Sequence, residues 1–348
     1  MRALTVVPKT AQSAAVIDVP EPAVDEGDVL VETLAVGVCG TDAEILRGDY
    51  GWSPPGKERL VLGHESLGRV LDAPSTSGLA AGDLVVAIVR RPDPVPCYAC
   101  AKGQWDDCRN GRYTEHGIKE LDGFMRERYR APSDGIVRLD PAVGARGVLL
   151  EPTTIVTKAW DHTMAIGNRA AFEPKTALIV GAGPIGLLAA LIGVQRGLEV
   201  HVVDQVETGS KPDLVRRLGA TYHTGTAEDA LPGADIVIEC TGVPAVVLSA
   251  ITAAGIGGVV CLTGISPSAG EISVPLGALA RQMVLGNVAV FGSVNANRAH
   301  YEAAAKTLAA ADPNWLDGLI TRRVALEHFA DALTRGPDDV KVVIELAH

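Results

Sequence analysis

One stretch of the 348-residue sequence decides the fold: Thr176-Ala177-Leu178-Ile179-Val180-Gly181-Ala182-Gly183-Pro184-Ile185-Gly186. Its apolar half is typical of a buried parallel strand, and the uncharged run 187–195 after it predicts a helix packed on a sheet. The three glycines permit a tight turn, a close approach of the backbone to a pyrophosphate, and close packing of helix on strand. Pro184 and Ile185 begin the helix, whose free N–H groups are suited to phosphates. The stretch therefore predicts a strand–turn–helix unit that binds a dinucleotide.

An acidic residue should follow such a turn about 20 residues later, at the end of the next strand. The apolar run 199–203 is that predicted strand, and Asp204 stands at its end. A carboxylate in this place accepts hydrogen bonds from ribose hydroxyls. Asp204 is therefore the predicted ribose ligand.

From about residue 152 onward, predicted strands alternate with predicted helices. Helical segments at 213–218 and 245–254 separate apolar runs at 235–239 and 258–262. This alternation is typical of a doubly wound parallel sheet. The fold class is therefore α/β, with a dinucleotide-binding domain predicted at 152–294.

The first 151 residues differ in character. Apolar runs at 29–36 and 83–89 follow turn residues, and no long helical pattern occurs among them. Such runs predict a mostly antiparallel, barrel-like β domain. Residues 295–348, which contain a helical pattern and a last apolar strand, are expected to return to this domain.

The charge of the chain restricts its partners. The net charge is −11, with 42 acidic against 31 basic residues, which argues against nucleic acid and anionic membranes as partners. The uncharged run 176–195 has the length of a membrane span, but its glycines favour a buried core. The first residues show neither the apolar core nor the cleavage site of a signal peptide, so we expect a cytoplasmic protein.

Cys39, His64 and Glu65 form a second informative group. They supply a soft sulfur, a borderline nitrogen and a hard oxygen, the mixture of ligands that is typical of a catalytic zinc site. The alternative is that Cys39 is a small buried apolar residue and His64 a hydrogen-bonded loop residue. The dinucleotide signal elsewhere in the chain favours the zinc hypothesis.

Taken together, these motifs resemble the zinc-dependent medium-chain alcohol and polyol dehydrogenases over essentially the whole chain. The motifs are 37–42, 63–65, 151–152, 181–186 and 235–242. Within that family the chain is most similar to the glucose 1-dehydrogenase branch. The segments that carry this closer resemblance are 48–51, 89–92, 115–118, 123–125 and 292–297.

The resemblance implies a GroES-like catalytic domain, a Rossmann domain, and zinc held by Cys39 and His64. Glu65 or Glu151 would supply an oxygen ligand, and both alternatives stay open. The zinc would polarise a sugar hydroxyl, and a hydride would pass from the anomeric carbon to the nicotinamide to give a lactone. The hydroxyl of Thr41 is suited to relay the released proton, although it could instead bond nearby backbone.

The same resemblance implies the substrate and cofactor contacts. Glu115 and Asn295 match positions that bind sugar hydroxyls, with Thr41 and Glu151 also facing the substrate. Thr241 and Asn295 match positions near the cofactor. The alternatives are that Glu115 is a solvated surface carboxylate and that Asn295 is a turn residue.

The chain departs from the family at its second zinc site. Members with a structural zinc use four cysteines spaced C-x2-C-x2-C-x7-C, and Cys97, Cys100 and Cys108 match the last three. Pro94 stands at the first position. The neighbouring Asp93 could coordinate after a small backbone shift, which would give three thiols and one carboxylate, and loss of this zinc is the alternative.

The residues after Asp204 bear on the cofactor. Relatives that use NADP place an arginine here, whereas this chain continues with Gln205-Val206-Glu207. Asp204 would repel a 2′-phosphate, and the nearest downstream cations are Lys211 and Arg216. We therefore predict NAD rather than NADP.

The leading hypothesis is an NAD- and zinc-dependent dehydrogenase of glucose or a related aldose. The alternatives are a dehydrogenase of another polyol, a cyclitol or a secondary alcohol, and a non-catalytic NAD-binding protein. The apolar strand at 288–291 suggests pairing between sheets of two subunits, so we expect a homo-oligomer, either a dimer or a tetramer.

Overall fold

The computed structural model of the chain describes residues 1–265, 272–334, 336 and 338–346. It contains two compact units, Met1–Glu151 with Ala296–His348, and Pro152–Asn295. The boundary expected after residue 294 lies one residue earlier than the end of the second unit. Among the described residues, no helix is long and apolar enough to cross a membrane.

The first unit consists mainly of short strands, and most of their pairings are antiparallel, as predicted. Its first elements are β1 (Arg2–Val6), β2 (Ala15–Asp18), β3 (Val29–Gly37), α1 (Gly40–Arg47), β4 (Leu60–Val61), β5 (Glu65–Asp72), β6 (Leu84–Ala87), β7 (Arg90–Arg91), β8 (Thr114–His116), β9 (Glu120–Leu121), β10 (Arg128–Ala131) and β11 (Ile136–Arg138).

The second unit is a parallel α/β sheet, which confirms the predicted fold class. Its elements, with the helix that leads into it, are α2 (Leu150–Gly167), β12 (Thr176–Val180), α3 (Pro184–Gln195), β13 (Glu199–Val203), α4 (Ser210–Arg217), β14 (Thr221–His223), α5 (Ala227–Ala230), β15 (Ala234–Glu239), α6 (Pro244–Ala253), β16 (Ala254–Leu262), α7 (Leu276–Gly286) and β17 (Ala289–Gly292). The strand order is β14-β13-β12-β15-β16-β17, and every pairing is parallel. The order reverses beside β12, so the glycine-rich turn lies at the switch point where such sheets bind ligands.

The last part of the chain belongs to the first unit. Its elements are α8 (Arg298–Ala309), α9 (Pro313–Leu319), β18 (Ile320–Ala325), α10 (Phe329–Leu333) and β19 (Lys341–Glu345). β19 pairs antiparallel with β3 and parallel with β18, in the large sheet of order β11-β6-β5-β3-β19-β18. Residues of β19 therefore lie beside the end of β3, where α1 begins.

Each unit has its own apolar core. In the first unit, fully buried side chains from the β sheets pack together, among them Leu4, Val36, Phe124, Tyr129 and Ile344. In the second unit, the central strands β12, β15 and β16 are buried, as expected for a sheet covered on both faces.

Candidate active site

Pairing of β3 with β5 brings Cys39, His64 and Glu65 together. Glu65 opens β5 opposite Gly37, and Cys39 follows the end of β3 as the residue that caps α1. One ligand atom from each of the three side chains lies within 4.8 Å of the other two. The pairing of the two strands therefore assembles one thiol, one imidazole and one carboxylate.

Two glycines make this arrangement sterically feasible. Gly63 adopts a left-handed φ of 89°, which turns the chain immediately before His64. A Cβ on Gly37 would lie 2.0 Å from Oε2 of Glu65 and 2.8 Å from Cε of Lys341. A larger residue at position 37 would therefore displace the carboxylate.

Asp42 supports the group, although the sequence analysis gave it no role. Its Oδ2 accepts a hydrogen bond from the backbone N–H of Cys39 at 2.8 Å, and its Oδ1 lies 3.6 Å from Nδ1 of His64. Burial lowers the pKa of His64, but the nearby charge of Asp42 outweighs it and raises that pKa well above its usual value. A carboxylate that orients a ligating imidazole is the common companion of a metal site. The signal was its position, three residues after a helix-capping residue.

Lys341 is a second supporting residue outside the predicted set. It enters from β19 with a side chain that is 2% exposed, forms an ion pair with Oε2 of Glu65, and donates to the carbonyl of Val38 at 3.1 Å. A buried carboxylate requires such a partner, because an unpaired charge in the interior is costly. Lys341 therefore pairs the buried carboxylate of Glu65 and links it to the residue that follows β3.

Glu151 lies near this group at the start of α2. Burial raises the pKa of its carboxyl to about 7, the charges of His64 and Lys341 oppose the rise, and that of Glu65 adds to it. The ligand group of the described residues nevertheless contains Glu65 and not Glu151. The geometry thus favours Glu65 as the oxygen ligand, with Glu151 as a neighbouring buried carboxyl.

A divalent cation fits this donor set. The thiol, imidazole and carboxylate match the ligands that catalytic zinc uses in proteins. In addition, Oδ1 of Asp42 and Nδ1 of His64 are buried without a hydrogen-bond partner. Buried polar atoms without partners are rare in proteins, and the approach of a cation to the imidazole would stabilise both groups.

Glu115, a predicted sugar ligand, is a buried residue and not a surface carboxylate. It lies opposite Arg90 in the β7–β8 pair and is 5% exposed. Nε and Nη2 of Arg90 both lie 3.0 Å from Oε1 of Glu115, and Nη1 of Arg90 donates to the carbonyl of Asp106 at 3.0 Å. The guanidinium also lies 3.6 Å from the centre of the Tyr113 ring. These contacts hold the carboxylate in one orientation.

The segment 93–112, here called the thiol lobe, brings Cys97, Cys100 and Cys108 together. One Sγ atom of each lies within 4.8 Å of the others, and those of Cys97 and Cys100 are 3.6 Å apart. Hydrogen bonds from the backbone N–H groups of Cys100 and Arg109 lower the pKa of Cys97 to about 6, whereas burial raises the pKa of Cys100.

The structure does not bring Asp93 into this group of thiols. Oδ1 of Asp93 accepts from the N–H of Val95 at 2.8 Å, and Oδ2 accepts from Nδ2 of Asn110 at 2.8 Å and faces Nε of Arg112 at 3.4 Å. Both oxygens of the carboxylate therefore already have partners within the same loop. The ligand group formed here by described residues consists of three thiols, which does not fit the family's four-ligand zinc.

The glycine-rich turn of the second unit has the geometry expected of a nucleotide site. Gly181 has a left-handed φ of 100°, and a Cβ on Gly186 would lie 1.8 Å from the carbonyl oxygen of Gly181. Pro184 and Ile185 form the first turn of α3, as predicted. A cavity of about 520 Å³ adjoins the turn and is lined by Val180, Asp204, Lys211, Thr226, Thr241 and Val243, among others.

Asp204 lies at the mouth of this turn, directly after β13. Its Oδ2 accepts from the N–H of Ala182 at 2.6 Å, and Nζ of Lys211 is 3.4 Å from the same oxygen. Lys211 was noted in the sequence only as a nearby cation. Its contact with Asp204 reduces the negative charge that would repel a 2′-phosphate.

Three further predicted residues have defined places. Thr41 lies half-buried in the first turn of α1. Thr241 follows β15, and its N–H and hydroxyl both donate to the buried carboxylate of Glu239, which fixes the loop beside the cavity. Asn295 follows β17 with a left-handed φ of 65°. The structure leaves their roles toward substrate and cofactor as predictions.

Comparisons with known proteins match both halves of the chain. A family described as Glucose dehydrogenase C-terminus matches residues 144–346, and one described as Alcohol dehydrogenase GroES-like domain matches residues 25–141. Glucose 1-dehydrogenase of Methanocella arvoryzae is 39% identical over 99% of both chains, and that of Halobacterium salinarum is 39% identical over 98% of both. The solved structure of Haloferax mediterranei glucose dehydrogenase in complex with NADP, Zn and gluconolactone has a TM-score of 0.91, at 33% identity and full coverage of both chains.

Proposed function

Because the chain belongs to the zinc-dependent medium-chain dehydrogenases, in their glucose dehydrogenase branch, we propose that it oxidises the C1 hydroxyl of glucose or a related aldose to the lactone. NAD is the proposed hydride acceptor. The observation that carries the proposal is the assembly of Cys39, His64 and Glu65 in one unit with the buried, oriented carboxylate of Glu115. A binding protein without turnover has no use for such a set.

The residues of the first unit have separable tasks. Cys39, His64 and Glu65 would hold the zinc, which as a Lewis acid favours ionisation of a substrate hydroxyl. Asp42 orients His64, and Lys341 pairs with Glu65. Glu115 would accept a hydrogen bond from a sugar hydroxyl, and a site built for such bonds rejects analogues that lack the hydroxyl.

Thr41 is the proposed exit for the proton that leaves the substrate hydroxyl. It lies two residues after Cys39, at the beginning of α1. A hydroxyl both accepts and donates a hydrogen bond, so it can pass a proton on without becoming charged. The substitution Thr41→Val, which removes this hydroxyl, should therefore lower kcat by a larger factor than it raises KM.

The second unit would bind the dinucleotide. The N-terminal amides of α3 are suited to the pyrophosphate, and Asp204 to the ribose hydroxyls. Asp204 supports a preference for NAD, and Lys211 moderates it because it offers a cation beside the 2′ position. The ratio of kcat/KM for NAD and NADP, measured for the native chain and for Asp204→Ala and Lys211→Ala, tests this assignment.

A panel of aldoses, polyols, cyclitols and alkyl alcohols, followed by NADH absorbance, tests the proposed function. We expect the highest kcat/KM with glucose or another pyranose, and a lactone as product. Activity on alkyl alcohols with none on pyranoses would contradict the proposal. Zinc analysis of the same preparations should give one ion per chain.

We also propose that the chain forms a homo-oligomer through the β17 edge of the second unit. Among the strands that the structure describes, β17 is the terminal one of its sheet and pairs with β16 alone. The preceding helix α7 has no buried residue and exposes apolar side chains, with Leu276 69%, Val284 74% and Leu285 65% accessible. Light scattering of the native chain and of Leu285→Glu would show whether this face holds subunits together.

A further inference from the structure

The thiol lobe holds reactive groups that the proposed reaction does not use. Cys97 and Cys100 form a C-x-x-C pair whose Sγ atoms are 3.6 Å apart, and Cys108 lies within 4.8 Å of both. Val95 and Tyr98, beside this pair, are 62% and 70% exposed. The lobe is therefore open to small solutes, and its thiols are close enough to react with each other.

Asp93, the candidate fourth ligand beside these thiols, has other partners. Asp93 is 3% exposed, and its two oxygens already serve Val95, Asn110 and Arg112. Moving it toward the thiols would break these three contacts at once. Three thiols without a fourth protein ligand are a weaker metal site and a better target for oxidants.

The lobe is also connected to the sugar site that we propose. The short helix Trp105–Asp107 lies between Cys100 and Cys108. The carbonyl of Asp106 accepts from Arg90, which holds Glu115, and its carboxylate accepts from Nδ2 of Asn297 at 3.1 Å. A change in the lobe that moves Asp106 therefore changes the support of Glu115.

We propose that the thiol lobe is a peroxide-sensitive modification site, in which Cys97 and Cys100 form a disulfide that weakens sugar binding through Asp106 and Arg90. The link to sugar binding rests on the proposed function, whereas the disulfide does not. Sγ of Cys97 attacks one oxygen of the peroxide, the O–O bond breaks, and a sulfenic acid and one water form from hydrogen peroxide. Sγ of Cys100 then attacks that sulfur, the S–O bond breaks, and a second water leaves. Two thiols lose two electrons and two protons, and one peroxide accepts them.

The disulfide requires a local rearrangement. The two sulfurs must approach from 3.6 Å to about 2.05 Å. Sγ of Cys97 also accepts from the N–H of Arg109 at 3.4 Å, and the N–H of Gly103 donates to the carbonyl of Cys100 at 3.0 Å, so residues on both sides of the helix Trp105–Asp107 are bonded to the two cysteines. Closing the bond therefore pulls on the segment that carries Asp106.

The test treats the zinc-loaded enzyme with a small excess of hydrogen peroxide, with Cys100→Ser and Cys108→Ser as matched variants. We expect non-reducing peptide mapping to find the Cys97–Cys100 disulfide in the native chain and in Cys108→Ser, and not in Cys100→Ser. KM for glucose should rise about fivefold on oxidation in the first two and return with dithiothreitol, while KM for NAD stays constant. Oxidation of Cys39 would affect all three alike.

Two results would overturn the proposal. One is that Cys97 and Cys100 remain reduced while peroxide oxidises other thiols. The other is a zinc content of two per chain that falls to one in Cys108→Ser, since that would make the lobe a metal site. The fluorescence of Trp105, identified by comparison with Trp105→Phe, reports the rearrangement in the absence of substrate. A failure of the proposed function therefore leaves this readout unaffected and can be told apart from a failure of this inference.

Discussion

The two cysteine-containing groups of the first unit are built in opposite ways. Cys39, His64 and Glu65 meet because β3 and β5 pair, and they are supported by Asp42 from α1 and Lys341 from β19. The three thiols of the lobe come from twelve consecutive residues, 97–108, and the carboxylate of Asp93 accepts hydrogen bonds from other groups. The ligands that a sequence motif supplies are therefore only part of a metal site. The neighbouring groups that orient and charge them decide whether a cation is held.

Removing one ligand residue from each group should give the largest difference in zinc content and activity between the two groups. We expect His64→Ala to lose zinc and to lower kcat/KM by about 10⁴-fold, equivalent to about 5 kcal/mol of transition-state stabilisation. Cys108→Ser should keep its zinc and stay within about threefold of the native activity under reducing conditions, a change of less than 1 kcal/mol. Metal analysis and steady-state kinetics of the two purified variants check this difference. Equal zinc losses in the two variants would show that both groups bind zinc.

The link between the thiol lobe and Glu115 should be sensitive to Arg90. Arg90→Ala leaves Glu115 buried without its cation, which should lower the free energy of unfolding by about 3–5 kcal/mol. The double variant Arg90→Ala with Glu115→Ala removes the unpaired charge and should recover part of this loss. Urea unfolding of both variants and of Glu115→Ala measures the coupling. Additive effects would mean that the pair does not hold the site together.

A substitution of Asp42 tests how much zinc binding by Cys39, His64 and Glu65 depends on this neighbouring carboxylate. Asp42→Asn keeps the size of the side chain and removes the charge beside His64. Loss of such a partner typically lowers metal affinity by about 10- to 100-fold. Competition with a chelator measures the affinity directly, and Asp49→Asn, an exposed change just beyond the same helix, is the matched control. Native affinity in Asp42→Asn would show that the carboxylate has no influence on the metal.

The scaffold that both groups share should respond to acid through His116. Burial lowers the pKa of His116 to about 3, and its Nδ1 lies 2.8 Å from the carbonyl of Asp122. The unfolded chain takes up this proton near pH 6.5 and the folded chain does not, so stability is complete above pH 6.5 and falls as the pH falls. Between pH 7 and pH 5 we expect a loss of about 2 kcal/mol from this group. Urea unfolding at several pH values should show a smaller dependence of the free energy of unfolding on pH in His116→Gln than in the native chain. The variant His328→Gln, changed at an exposed histidine, should behave like the native chain.

The parts of the molecule that sequence could predict are those with local causes. The strands 176–180 and 199–203 and the turn between β12 and α3 follow from apolar runs and glycine positions, and the structure has them within the predicted bounds. The family resemblance, carried by short motifs, is confirmed by the matches over the whole chain. Cys39 and His64 were identifiable because each stands next to a glycine in a short motif, and Glu65 because it directly follows His64.

Other features depend on pairings that sequence does not display. Helix α2 was not predicted, since Thr153, Thr154 and Thr157 disfavour helix, and burial of the helix overrides that preference. The partners of Glu65 and Glu115 were missed because they depend on the register of β19 with β3 and of β7 with β8. The expectation that Asp93 completes the lobe rested on its distance along the chain, and its own hydrogen bonds decided otherwise.

The position of Lys341 has a consequence for how the protein is made. The lysine bonds to Val38, 303 residues earlier in the chain, and the whole second unit is synthesised between them. A ribosome therefore exports Cys39, His64 and Glu65 long before it exports the cation that pairs with Glu65. The second unit is one continuous segment and can fold first, whereas the first unit combines two segments from the ends of the chain. The pairing of Lys341 with Glu65 therefore waits until strand β19 has been synthesised.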